Sequence, residues 1–401
     1  MSSPPTEPTH TPRQVWAIFL VFLRLGLTSF GGPLAHLGYF RAEFVERRRW
    51  LDERSYADLV ALCQFLPGPA SSQVGIAIGL SRAGQAGALA AWAGFTLPSA
   101  LALILFAQGL AAWGEALPGG LLHGLKVVAV AVVAQAVWGM GRSLCPDAPR
   151  LTLMVAACAV ALLWPTPAGQ IAVILGAALC GLWLPRHAAE GAHPPLPIRI
   201  GRRSALVCLG LFAALLFGLP LLAEWAPGPQ VRLLDAFYRA GALVFGGGHV
   251  VLPLLQAEMV PDWLSADTFL AGYGAAQAVP GPLFTFAAFL GAALEGGMGG
   301  WSGGLLCLLA IFAPSFLLVS GALPFWEALR RNARMQAALA GINAAVVGLL
   351  LAALYQPVWT GSIRGAGDFV LLLLAFLALG VWKLPPWLVV LLAALGGALV
   401  L

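Results

Sequence analysis

Charge is what this sequence has least of. Only 10% of its 401 residues are Asp, Glu, Lys or Arg, where a soluble domain carries about 25%. That shortfall excludes an ordinary water-facing surface, and 60% hydrophobic residues instead describe a polytopic, all-α membrane protein. Cysteine is scarce as well. Cys63, Cys145, Cys158, Cys180, Cys208 and Cys307 lie scattered in apolar segments without a CxxC, which excludes a disulfide framework and a thiolate metal centre. No HExxH, Walker A, GxSxG or intramembrane Asp pair occurs, so neither an enzyme nor a cofactor is expected. A basic n-region is missing too: residues 1–12 are polar and proline-rich, read as a disordered cytoplasmic tail and not a secretory signal. The net charge of +5 is no footprint of nucleic acid, because charges in a membrane protein sort by side.

Glycine and proline, by contrast, are plentiful at 48 and 29 residues, and they recur in register. Phe30-Gly31-Gly32-Pro33 is followed by Gln64-Phe65-Leu66-Pro67-Gly68-Pro69. A second copy reads Phe245-Gly246-Gly247-Gly248 and then Gln277-Ala278-Val279-Pro280-Gly281-Pro282. Other landmarks keep step: Arg24 with Arg239, Glu43 with Glu258, Pro98-Ser99 with Pro314-Ser315, Gly124 with Gly341. The pattern predicts a duplicated membrane domain, residues 13–185 and 231–401. Between them, 186–230 forms a linker with one unpaired apolar segment, Ser204–Leu222. Gly-Gly and Pro-Gly-Pro break helices, and backbone groups freed inside a bilayer need protein or a watery cavity. Broken helices at matched positions of two halves point to a transporter's binding site, whereas packing glycines and ordinary kinks are the bland alternative.

The charges that do occur change side between the halves. The loop around 41–54 holds Arg41, Arg47, Arg48, Arg49 and Arg54, while its partner around 256–267 holds Glu258, Asp262 and Asp267 and no cation. Conversely, 113–120 contains only Glu115, and the matching 324–336 contains Arg330, Arg331 and Arg334. By the positive-inside rule the halves are oppositely oriented, with Ser204–Leu222 as the extra span between them. About 13 segments, six plus one plus six, follow with the amino terminus in the cytoplasm.

Within these segments few residues can carry chemistry. Arg24 and Arg239 sit mid-segment, just before the Phe-Gly-Gly breaks. An intramembrane Arg costs at least ~2.5–3.5 kcal/mol on insertion scales, so it marks a pathway or a paired charge. It forks well onto oxyanions, although neutralisation by Glu43 or Glu258, or snorkelling, is the structural alternative. Segments starting at Pro33 or Gly248, and at Pro69 or Pro282, present helix N-termini that favour anions. Ser71, Ser72 and Gln73 follow the first Pro-Gly-Pro and Thr285 follows the second, as helix caps or as donors to a tetrahedral oxyanion. Gln64 and Gln277 add amides at the preceding ends. His36 and His249 follow the glycine-rich breaks at non-equivalent positions and are proton carriers or plain packed side chains. Lys126, opposite Asn343 in the repeat comparison, is a buried lysine or a snorkelling one.

With these residues laid out, the sequence resembles the chromate ion transporter family in its long two-domain form. The strongest stretch is LRLGLTSFGGPLAHLGYFRAEFVERRRWLDERSYADLVALCQFLPGPASSQVG, Leu23 through Gly75; YRAGALVFGGGHVVLPLL and AAQAVPGP resemble the other half-domain. The resemblance implies chromate export across the inner membrane and chromate resistance. It also implies functional roles for Arg24, Phe30, Gly31, Gly32, Pro33, His36, Glu43, Gln64, Pro67, Gly68 and Pro69. The second half departs from the pattern, with Gly248 in place of Pro33 and no partner for His36. The implied partners are chromate, with sulfate as the related oxyanion, and the lipid bilayer; a homodimer is admitted. Sulfate transport, an anion channel and a membrane-bound reductase are the competing functions.

Opposite orientation has a direct consequence. Single cysteines replacing Arg48 and Ala266, in a cysteine-free background, are expected to react with impermeant reagent from opposite sides of the membrane. Labelling of both from one side contradicts the charge argument.

Overall fold

Each apolar run of the sequence closes into helix and stops where glycine, proline or a capping side chain ends it. The computed structural model describes residues 11–116, 118–184, 200–226, 228–295 and 297–400. Of the expected tail, residues 1–10 lie outside the described residues, as do 185–199 of the expected linker. In the first half, α1 (Pro12–Thr28) starts on a proline, whose fixed φ suits a first helical turn, and ends before Gly31. Next come α2 (Gly32–Arg41), which runs into a π turn, and α3 (Glu53–Phe65), capped by Asp52 accepting from the Ser55 N–H at 2.9 Å. The long α4 (Ala70–Trp113) is really two helices, interrupted by non-helical backbone at Ala83 and Gly84. After it lie α5 (Gly119–Leu144), α6 (Ala148–Leu163) and α7 (Pro167–Gly181).

An exposed apolar helix, α8 (Arg202–Trp225), separates the halves, with only Ala205 buried. The second half contains α9 (Pro229–Leu243), α10 (Val251–Met259), α11 (Ala266–Ala276), α12 (Phe286–Ala292), α13 (Gly300–Ala322) and α14 (Trp326–Arg331). It closes with α15 (Ala333–Ala353), the single turn α16 (Thr360–Ser362), α17 (Ala366–Gly380) and α18 (Pro386–Val400). Five of the helical stretches are long and apolar enough to cross a membrane: Ala70–Trp113, Gly119–Leu144, Arg202–Trp225, Gly300–Arg331 and Ala333–Ser362. Shorter apolar helices accompany them, and the whole is a multi-pass membrane protein.

Packing between the halves is reciprocal. In the first half α1 lies along α4, and in the second α9 lies along α13. The backbones touch at equivalent glycines: a Cβ on Gly26 would fall 2.8 Å from the Phe95 carbonyl oxygen, and one on Gly241 would overlap the Ile311 carbonyl. One further helix of each half then takes its neighbours from the other. Helix α5 packs against α17 and α18, and α15 packs against α6 and α7. Matched glycines again allow it, with Gly124 against the Ala393 carbonyl and Gly341 against the Ala177 carbonyl. Small residues let backbones approach where lipid offers no hydrophobic drive to association.

A side chain at these contacts has nowhere to go. Gly124→Val and Gly241→Val are each expected to destabilise the fold by roughly 1–3 kcal/mol, read as a lower apparent melting temperature in detergent. Gly139→Val is the control, since a Cβ there meets nothing within 4 Å. Equal behaviour of all three contradicts the close-packed contact.

Candidate functional site

The two kinds of break meet each other across the halves. After α1 the chain turns extended at Ser29, and after α9 it does so at Val244, the equivalent residue. Neither Ser29 nor Val244 continues the helical bonding pattern with its carbonyl. Gly68, in the first Pro-Gly-Pro, donates its N–H to the Val244 carbonyl at 2.7 Å. Gly281, in the second, donates its N–H to the Ser29 carbonyl at 2.9 Å. Both glycines have positive φ, +124° and +102°, a region that a Cβ makes costly. They also sit against matched hydroxyls: Cβ atoms built on Gly68 and Gly281 fall 2.9 Å from Ser315 Oγ and Ser99 Oγ. At the centre, a Cβ built on Gly248 lies 3.5 Å from Pro33 Cγ, its own counterpart. Gly31, Gly32, Gly246 and Gly247, all with positive φ, shape the chain on either side.

Around this crossing the first half carries more buried polar side chains than the second. Gln73 donates from Nε2 to the Pro67 carbonyl at 2.6 Å and so pins the loop that carries Gly68 and Pro69. His36 is buried, with Nδ1 3.3 Å from Ser71 Oγ and its ring edge-on to Phe95. Ser29 Oγ, His36 Nε2, Ser72 Oγ, Gln73 Oε1, Thr96 Oγ1 and Ser315 Oγ are buried, and no partner for them is seen among the described residues. At the matching positions of the other half stand Val244, Val251, Thr285, Phe286, Phe312 and Ser99. Thr285 donates its hydroxyl to the Pro282 carbonyl at 2.8 Å, and Ser99 donates its own to the Thr96 carbonyl at 3.0 Å. Buried polar groups left open are costly, which makes this set the candidate site. The amino end of α4 opens here as well, and Pro69 supplies it no side-chain cap.

Several residues singled out by their sequence lie elsewhere. Arg24 is on the exposed face of α1, and no acceptor for its guanidinium is seen among the described residues. Glu43 does not neutralise it: the π turn directs that carboxylate to Arg47 at 2.9 Å and to Arg48. The Glu43–Arg47 spacing of one helical turn already carried that signal. Arg239 behaves differently, paired with Asp235 at 2.8 Å and with Glu258 at 3.1 Å. Gln64 is exposed at the end of α3, and Gln277 Nε2 reaches the Tyr273 carbonyl at 3.4 Å. His249 Nδ1 meets the Tyr273 hydroxyl at 2.8 Å. Phe30 packs on Trp387 with ring centres 6.4 Å apart. Lys126 pairs with Asp267 at 2.8 Å beside a separate cavity. Ser71 and Ser72 follow Pro69 but make no cap. Sequence reasoning missed Ser29, Thr96, Ser99 and Ser315; the shared Pro-Ser of α4 and α13 was the visible hint for the last two.

Comparison with known proteins gives two matches to one family model, described as Chromate transporter, over residues 16–182 and 231–398. The chain is 28% identical over 357 residues to the Chromate transport protein of Pseudomonas aeruginosa, covering 86% of this chain and 81% of that one. It is 28% identical over 356 residues to the Chromate transport protein of Cupriavidus metallidurans, covering 87% and 83%. The Uncharacterized transporter YwrA of Bacillus subtilis, 29% identical over 178 residues, is covered for 97% of its length by 43% of this chain. No solved structure matches.

The two equivalent arginines are predicted to differ on removal. Arg239→Gln leaves Asp235 buried and Glu258 partly buried without their cation and is expected to destabilise the protein by about 3 kcal/mol. Arg24→Gln, at an exposed position, is expected to cost less than about 1 kcal/mol. Thermal unfolding of both variants in detergent decides; equal losses contradict the pairing.

Proposed function

The chain belongs to the chromate transporter family, and we propose that it is a secondary transporter exporting chromate across the inner membrane through the crossing of its broken helices. The observation that carries this reading is the reciprocal pair of bonds, Gly68 to Val244 and Gly281 to Ser29, at 2.7 and 2.9 Å. It joins the irregular backbone of the two halves at one place, where transporters of repeated architecture hold substrate. The reciprocal helix exchange and the change of charge side support two halves oppositely oriented in the membrane. Each half contributes about six segments, with α8 between them.

The ligand fits the donors. A tetrahedral dianion held away from water needs several hydrogen bonds, and neutral hydroxyls, backbone amides and a helix amino end supply them without a buried counter-charge. Ser29, Ser72 and Ser315, with His36 and the first turn of α4, form that set. Gln73 and Pro67 position the loop, and the apolar counterparts Val251, Phe286 and Phe312 make the other half a wall. Sulfate shares the shape and charge of chromate, so the same donors accept both. Direction follows from the membrane potential: at about −100 mV a departing dianion gains roughly 4–5 kcal/mol, whereas uptake needs co-transported cations. Export therefore needs no proton exchange. His36, next to the crossing, is the group placed to add it. Resistance to chromate follows from export.

Reconstituted in proteoliposomes, the protein is expected to move chromate, faster with the potential directed to expel anions, and with no change in chromium oxidation state. Ser72→Ala, and Pro67→Ala with Gly68→Ala, are expected to lower flux about tenfold or more, a barrier change of about 1.4 kcal/mol, at equal folded protein. Flux indifferent to all three changes moves the site away from the crossing; reduction of chromium makes the protein an enzyme.

A further inference from the structure

A second polar centre lies outside the crossing. A cavity of about 730 Å³ opens at the amino ends of α5, α11 and α17, with Gly119, His123, Lys126, Asp267 and Arg364 on its wall. Lys126 is buried, at 5% exposure. Its ammonium carries three donors, yet one acceptor is seen for it among the described residues, Asp267 Oδ1 at 2.8 Å. The two partners are unlike: the Lys126 side chain is 7% exposed and that of Asp267 is 65% exposed. The lysine is therefore held largely within the protein at the cavity wall, while its carboxylate partner is mostly exposed.

The neighbouring carboxylate is already committed. Asp368 takes His123 Nε2 at 2.7 Å on one oxygen and the N–H groups of Arg364 and Gly365 at 2.7 and 3.1 Å on the other. It ties α5 to the start of α17 and has little capacity left for a cation. Among the described residues of this wall, Asp267 is then the remaining carboxylate beside Lys126. The amino end of α5 adds its own positive dipole, and Pro118 before it brings no capping side chain.

We propose that this cavity is a second station for a divalent oxyanion, in which the anion takes the place of Asp267 at the Lys126 ammonium. This rests on the reading of the chain as an oxyanion transporter. Competition from the tethered carboxylate keeps the station weak, as release requires. The arrangement exists at one mouth only, because Asn343 stands at the position matching Lys126 and Arg54 at that matching Asp267. With the acidic loop 256–267 outside, that mouth is the external one, so the anion passes from neutral donors at the crossing to an exchangeable cation at the exit.

Equilibrium dialysis of the purified full chain against radiolabelled sulfate tests this. Two saturable components are expected. Asp267→Asn, with its folding checked by thermal unfolding, should tighten the weaker one on the order of tenfold, since one competing charge is gone. Lys126→Met should abolish that component and Lys126→Arg retain it. An unchanged weaker component in Asp267→Asn overturns the proposal. So does a second component that survives Lys126→Met, and in that case loss of the tighter one in Ser72→Ala leaves the transport reading intact. Absence of any bound sulfate in the wild-type protein overturns both.

Discussion

Two main-chain hydrogen bonds, each joining a Pro-Gly-Pro turn to a helix end of the opposite half, are the constraint from which the rest of the architecture follows. A bilayer offers no water to satisfy a carbonyl freed by a broken helix. Ser29 and Val244 each expose such a carbonyl, and Gly281 and Gly68 each bring the N–H that meets it. Only a residue without a Cβ both takes the positive φ and fits against the serine behind it. Helix exchange around α5 and α15 then keeps the halves in the register these two bonds need.

Much of this was legible in the sequence because the breaks are made of residues whose backbone behaviour is local. Glycine at 31, 68, 246 and 281 and proline at 67, 69, 280 and 282 announce where helices stop. The unpaired apolar segment before the second half, Ser204–Leu222, was readable from its composition alone. Which break faces which was not, since partner choice is a long-range property that no spacing along the chain encodes. The side-chain environment was harder still. Arg24 and Arg239 occupy equivalent positions, but Asp235 one turn before Arg239 has Leu20 as its counterpart, so one arginine is paired and the other is exposed. Ser29 and Thr96 are unremarkable serine and threonine until the fold places them beside a buried histidine.

The halves have also diverged in chemistry while keeping their backbone relationship. Polar residues at 29, 36, 72, 73 and 96 oppose Val244, Val251, Thr285, Phe286 and Phe312. Backbone symmetry brings the breaks together, while the side chains beside them are mostly polar in the first half and mostly apolar at the matching positions of the second. Charge is kept outside this centre, in the pairs Arg239 with Glu258, Arg330 with Asp58 and Lys126 with Asp267. That separation suits a path along which a dianion must bind without becoming trapped.

Locating the ion itself is the most direct test of the central claim. Anomalous scattering from chromium, in crystals of the full chain grown with chromate, reports its position without reference to any variant. The strongest peak is expected at the crossing, within hydrogen-bonding distance of Ser72 and His36 and close to the amino end of α4. A strongest peak beside the guanidinium of Arg24, with none at the crossing, would contradict that claim.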